Sequence, residues 1–144
     1  MTTTTLHATT VAIDGRGCLI IGPSGSGKSS LALRLIALGA VLVADDRTIV
    51  ALRGERLLAS APHAIASLIE ARGVGLLRVP LAPPTELHLV VDLSTPAAPR
   101  LPEPQEHLVL GRKLPCLHNG ESPHFPAAIT LYVRGIERSR HDTA

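Results

Sequence analysis

The spacing of apolar and polar positions along the chain predicts a series of short strands interrupted by one long helix. Short aliphatic runs bounded by glycine, proline or charged residues are typical of buried strands. A longer aliphatic stretch predicts a helix that begins at Ser29 and ends near Gly39, because glycine is a common helix C-cap. The predicted strands are Thr9–Asp14, Cys18–Ile21, Val41–Ala44, Thr48–Leu52, Arg56–Ala59, Gly75–Val79, Leu87–Leu93, Leu108–Leu110 and Lys113–Leu117.

The segments between these runs complete the prediction. Glycine-containing turns join the first strand to the second and the fourth to the fifth, as in hairpins. His63–Glu70 is expected to form a helical turn or a short helix, and residues 127–135 a terminal helix. Ser94–Glu106, which carries several prolines, predicts an extended connection. The last two strands are expected at a sheet edge, followed by an irregular polar stretch over residues 118–126.

Composition narrows the fold class. The chain has 144 residues, which suits one domain, and it is 45% hydrophobic with one Phe, one Tyr and no Trp. Its core must therefore be built from Leu, Ile, Val and Ala, as in helices packed on a sheet. Val41–Ala44 is wholly apolar, which indicates a sheet covered on both faces. We predict an α/β fold.

Charge and targeting signals exclude several classes of function. A net charge of +2 is too small to indicate nucleic acid or an anionic membrane as the partner. The amino terminus lacks the pattern of a signal peptide, and the sequence contains no apolar run of about 18 residues that would span a membrane. Cys18 and Cys116 lie in apolar stretches, which indicates buried thiols in a reducing, cytoplasmic setting.

The most informative motif is G-P-S-G-S-G-K-S, which matches the phosphate-binding loop G-x-x-x-x-G-K-[ST]. It lies between a predicted strand and a predicted helix, which is the context that such a loop requires. Its backbone N–H groups and the helix amino end would surround phosphate oxygens. Lys28 would reach the β- and γ-phosphates, and the Ser29 hydroxyl would bind Mg²⁺. The predicted nucleotide-binding residues are Gly22, Pro23, Ser24, Gly25, Ser26, Gly27, Lys28 and Ser29.

Acidic residues follow the strand after the loop's helix. Asp45 and Asp46 end that strand, and carboxylates at such a position lie beside the phosphate loop. Adjacent residues of an extended chain point to opposite faces, so one carboxylate can hold the metal while the other accepts a proton. Glu70 and Arg72 form a second cluster, suited to Mg²⁺ and to phosphate oxygens. The alternative interpretation of Asp45 and Asp46 is a polar turn after a strand. The alternative interpretation of Glu70 and Arg72 is a surface ion pair.

The order and spacing of three motifs resemble the HPr kinase/phosphorylase family, whose members act on a serine of the phosphocarrier protein HPr. The motifs are G-P-S-G-S-G-K-S, L-V-A-D-D-R at Leu42–Arg47, and I-E-A-R-G-V-G-L-L at Ile69–Leu77. The resemblance extends over residues 6–93. It implies an α/β catalytic domain of the phosphate-loop, PEP-carboxykinase-like type, with a mixed sheet and a phosphate-loop helix.

The resemblance also implies roles for individual residues. Asp46 would accept the proton in the kinase reaction and donate it in the reverse reaction. Ser29 and Glu70 would bind Mg²⁺, with Asp45 as a further candidate metal residue. His7 and Arg100 match further functional residues of the family, and Lys28 would complete the catalytic set, which is His7, Lys28, Asp46 and Arg100.

The function implied is that of an ATP- and Mg²⁺-dependent protein serine kinase acting on HPr. Residues 1–144 would form one catalytic domain without the separate amino-terminal domain of larger members, as in a short proteobacterial form, and would assemble as a homo-oligomer, a hexamer by resemblance. Two departures stand out: Ser30 replaces the usual Glu, and the segment linked to phosphorolysis is not recognisable in His118–Pro126. We therefore expect weak phosphorylase activity.

Two other functions fit the loop. One is a small-molecule kinase, although little chain remains for a lid and a substrate domain. The other is a regulatory module that binds ATP and Mg²⁺ but transfers nothing. Measurement of turnover separates this module from both kinases.

Overall fold

The computed structural model describes residues 2–94, 100–118 and 122–135. The strands are β1 (Thr2–Leu6), β2 (Ala8–Ile13), β3 (Arg16–Ile21), β4 (Val41–Ala44), β5 (Thr48–Arg53), β6 (Arg56–Ser60), β7 (Leu68–Ala71), β8 (Gly75–Arg78), β9 (Thr85–Asp92), β10 (Gln105–Val109) and β11 (Arg112–His118). The helices are α1 (Lys28–Ala37) and α2 (Phe125–Val133), with a single 3-10 turn at His63–Ile65.

Nine of these strands form one mixed sheet, in the order β1-β5-β6-β9-β3-β2-β4, with β11 and β10 added beside β9. The sheet divides along β9. The start of this strand, Thr85–Glu86, pairs antiparallel with β6, and its end, Val90–Asp92, pairs parallel with β11. Strands β7 and β8 form a separate hairpin.

The strand directions bring distant parts of the chain to one edge of the sheet. Strands β3 and β9 are parallel, and β2 lies antiparallel between β3 and β4. The carboxyl ends of β3, β4 and β9 therefore meet at the same edge, where the amino end of β2 also lies. The register pairs Ala8 with Ile21 and Thr10 with Ala44. His7, the phosphate loop and the acidic pair are thus neighbours by topology.

Two aliphatic clusters lie on opposite faces of the sheet. Alternate residues of β3 supply both, since Cys18 and Ile20 face the helices while Leu19 packs in the other cluster. This double coverage confirms the interpretation of the apolar strands. Both cysteines are buried. Burial raises the pKa of the Cys18 thiol to about 12. Burial and the charge of Asp92 together raise the pKa of Cys116 to about 11.

The α/β fold class, the loop's helix and the predicted strands are confirmed, with changes at their ends. Three predictions were wrong or incomplete. Of the helical turn or short helix expected over His63–Glu70, the 3-10 turn His63–Ile65 is present, but Glu70 lies on strand β7. Strand β1 was missed because its four threonines lack apolar alternation; it pairs with β5. Strand β11 is internal, since it pairs with both β10 and β9. Residues 119–121 and 95–99, parts of the predicted irregular stretch and connection, lie outside the described residues.

Candidate functional site

The loop between β3 and α1 turns sharply at glycines. Gly27 precedes the helix with a φ of 99°, in the left-handed region that suits glycine. Gly22 has a φ of 152°, and a Cβ there would lie 2.6 Å from the Ser26 hydroxyl. Larger residues at these positions would therefore change the path of the loop.

The amino end of α1 and Lys28 make the loop electropositive. Among the described residues, no side chain caps this helix end, and its first turn contains no acidic residue. The first N–H groups of a helix lack partners within it, so they are available to an anion. The Lys28 ammonium is buried and donates to the carbonyls of Gly22, at 2.8 Å, and Pro23, at 3.2 Å. An ammonium has three donors, which leaves one for a phosphate oxygen.

The Ser26 hydroxyl is a buried polar atom without a hydrogen-bond partner among the described residues. Such atoms are uncommon in folded proteins and are found at sites that a ligand completes. Together with the uncapped helix end, this atom indicates that the residues of the loop fit a phosphate group.

Asp45 is buried beneath the loop and joins three elements. Its Oδ1 accepts from the Thr9 hydroxyl at 2.9 Å and from the Ser29 hydroxyl at 2.6 Å. Its Oδ2 accepts from the Glu70 backbone N–H at 3.0 Å. Three donors therefore satisfy both oxygens of this buried carboxylate. Asp45 thereby links strand β2, helix α1 and strand β7 through hydrogen bonds to one buried carboxylate.

Asp46 points away from Asp45 into the cleft. Its Oδ1 lies 2.7 Å from Nε2 of His7, and both side chains are about half exposed. Its backbone has a φ of 68°, and its N–H donates to the Thr9 hydroxyl at 3.1 Å. The two carboxylates thus have different partners, although Asp46 is not extended.

Most of the predicted site residues line one cleft of about 300 Å³. The lining comprises His7, Ser24, Gly25, Gly27, Lys28, Ser29, Ser30, Asp46, Glu70 and Arg72. Asp45 lies behind this lining, bonded to Ser29. Arg100 is exposed and does not line the cleft, so its predicted role stays a prediction.

Sequence reasoning missed Thr9, which bonds to both Asp45 and Asp46. The signal for it was a polar residue in a strand that is otherwise buried on both faces.

No helix in the described part of the chain is long and apolar enough to cross a membrane.

The fold and site define a mixed α/β domain with a strand, loop and helix of the phosphate-binding type. The family model for the HPr serine kinase C-terminal domain matches residues 1–97. The chain therefore belongs to this family.

Relatives extend this result. HPr kinase/phosphorylase from Mycoplasmopsis pulmonis is 39% identical over 95 residues, which cover 61% of this chain and 31% of the relative. The same-named protein from Alkaliphilus metalliredigens is 38% identical over 125 residues, covering 78% and 40%. The chain thus spans well under half of the length of these relatives. The Hpr(Ser) kinase/phosphatase of Coxiella burnetii matches with a TM-score of 0.77 and 30% identity, covering 91% of this chain and 94% of that one.

Proposed function

We propose that this chain is the catalytic domain of a protein serine kinase that transfers the γ-phosphoryl group of ATP to HPr in the presence of Mg²⁺. The observation that carries the proposal is a single cleft lined by the phosphate loop, Glu70 and the His7–Asp46 pair. The names of the relatives supply the class of substrate.

The loop would hold the nucleotide. Its N–H groups and the α1 amino end would bind the phosphates, and the Lys28 ammonium would neutralise charge on the group in transfer. Phosphoryl transfer requires little covalent chemistry from the protein, so positioning and charge supply most of the catalysis.

The metal would be held by Ser29 and Glu70. The Ser29 hydroxyl donates a hydrogen bond to Asp45, which would leave its oxygen lone pairs available to the metal. Asp45 has its own oxygens engaged by three donors. We therefore assign it to holding the metal through Ser29. When bound, Mg²⁺ would neutralise phosphate charge.

Asp46 would take the proton of the attacking serine. His7 engages Oδ1, so we assign proton acceptance to Oδ2. The serine oxygen forms a bond to the γ-phosphorus as the bond to ADP breaks, and the hydroxyl proton passes to Asp46.

Further parts of the proposal concern the whole protein. We propose that residues 1–144 act as one catalytic domain, that Arg100 contributes to catalysis, and that the protein is a homo-oligomer. The forward reaction should dominate, with weak phosphorolysis. To test this expectation, the protein is incubated with phosphoserine-HPr, Mg²⁺ and inorganic phosphate, and the pyrophosphate formed is measured. Pyrophosphate release as fast as the forward kinase reaction would contradict it.

The kinase proposal is tested by incubating the protein with γ-labelled ATP, Mg²⁺ and purified HPr, and then locating the label by peptide mapping. We expect label on one serine of HPr. ATP binding by calorimetry without any transfer would instead support a regulatory module, and label on a small molecule would support the other kinase class.

A further inference from the structure

One threonine hydroxyl contacts both acidic residues of the site. Thr9 lies on β2, wholly buried, two residues after His7. Its Oγ1 donates to Asp45 Oδ1 at 2.9 Å and accepts the backbone N–H of Asp46 at 3.1 Å. A hydroxyl has one proton to donate and two lone pairs, so it can make both bonds at once.

The bond to Asp46 acts on an unfavourable backbone conformation. Asp46 has a φ of 68°, in the left-handed region, which costs an L-residue energy even though Asp adopts it more readily than most. Such conformations persist where surrounding contacts hold them. This conformation directs Asp46 toward His7 while Asp45 points to Ser29.

We propose that Thr9 is a positioning residue that couples the metal side of the site to its proton acceptor. The bond to Asp45 keeps that carboxylate aligned with Ser29, and the bond to Asp46 keeps the second carboxylate beside His7. This inference rests on the proposed kinase function, within which it assigns a role to a buried residue that does not line the cleft.

Thr10 provides a matched control. It is the next residue of β2 and is also wholly buried. Its hydroxyl bonds to the Thr48 hydroxyl at 2.9 Å, and the Thr48 hydroxyl donates to the carbonyl of Ala8. Neither of these described bonds reaches a carboxylate. Thr10→Val therefore removes a buried hydroxyl from the same strand without touching the acidic pair.

The experiment compares Thr9→Val, Thr9→Ser and Thr10→Val by thermal unfolding, steady-state kinetics and Mg²⁺ titration. Loss of such supporting contacts typically lowers metal affinity or activity roughly 10- to 100-fold. We expect Thr9→Val to show a fall of this order in kcat or an equivalent rise in the Mg²⁺ requirement, with a smaller change in KM for ATP. Thr9→Ser should restore activity, and Thr10→Val should lose stability without this loss.

Amide hydrogen exchange at Asp46 gives a readout that does not depend on catalysis. We expect it to accelerate in Thr9→Val and to stay unchanged in Thr10→Val. Unchanged exchange, or equal activity of the two valine variants, would overturn the proposal. If the wild-type protein transfers no phosphate, the kinase proposal fails, while the exchange and Mg²⁺ measurements still decide whether Thr9 holds the two carboxylates.

Discussion

The two ends of the sheet both present charged residues around a cavity, but they are built differently. At the carboxyl edge, where the carboxyl ends of β3, β4 and β9 meet, buried Asp45 accepts hydrogen bonds from three separate elements. At the opposite end, a larger cavity of about 410 Å³ lies among Glu55, Glu86 and Arg112. Its ion pairs are exposed: the Arg56–Glu86 pair is 3.1 Å long, with side chains 64% and 33% accessible.

Cavity size and charge therefore do not identify the site. Exposed ion pairs contribute about 0–1 kcal/mol because water screens them and long side chains lose freedom. A buried carboxylate with several donors is costly to assemble and destabilising to disrupt, so its surroundings must be arranged around it. The predictions below contrast the carboxyl edge with the opposite end.

The largest effect is expected for Lys28→Ala. In the proposed reaction this ammonium would neutralise charge that develops in transfer, and loss of such a group costs on the order of 100- to 1000-fold in rate. Thermal unfolding should show that the fold persists, and kinase assays should show the loss. Lys113→Ala, at the opposite cavity, is the control and should retain activity. Near-normal activity of Lys28→Ala would remove the loop from the reaction.

Asp46→Asn should lower turnover much more than ATP affinity. A proton acceptor acts in the transition state and typically contributes at least about 100-fold, whereas nucleotide binding rests on the loop. Calorimetry beside steady-state kinetics separates the two quantities. Glu86→Gln is the matched change at the opposite end. If Asp46→Asn lost affinity and turnover equally, Asp46 would belong to metal binding and not to proton acceptance.

Asp45→Asn should destabilise the fold. An amide cannot accept on both sides, so its NH₂ group would face either the Glu70 N–H or the hydroxyls of Thr9 and Ser29. A buried donor left unpaired costs about 1–3 kcal/mol, measurable by urea unfolding. Glu55→Gln removes an exposed charge and should change stability little. Equal effects of the two substitutions would show that Asp45 is not structurally central.

The smallest effect is expected for the Arg56–Glu86 pair. A double-mutant cycle with Arg56→Ala and Glu86→Gln should give a coupling energy below about 1 kcal/mol, and kinase activity should be unchanged. Loss of activity in either single variant would mean that the opposite end of the sheet takes part in function.

The sequence predicted the phosphate loop and its helix well because both are encoded locally. The convergence of Asp46 and His7 was harder to derive, since it depends on β2 lying antiparallel between β3 and β4. Glu70 lines the cleft with Arg72, but it lies on strand β7 and not in the helical segment that was predicted. Ser67, with a φ of 64°, redirects the chain into β7, and residue type gives no warning of that turn. Thr9 was missed because a threonine in a strand carries no motif.

The central claim is that the cleft at the carboxyl edge transfers phosphate to a protein serine. Its most direct test is the intact mass of HPr after incubation with ATP and Mg²⁺ and the wild-type, Lys28→Ala or Asp46→Asn protein. The account predicts that HPr gains the mass of one phosphoryl group with the wild-type protein and almost none with either variant at the same incubation time. An unchanged mass with a wild-type protein that binds ATP, or equal gains with all three proteins, would contradict it.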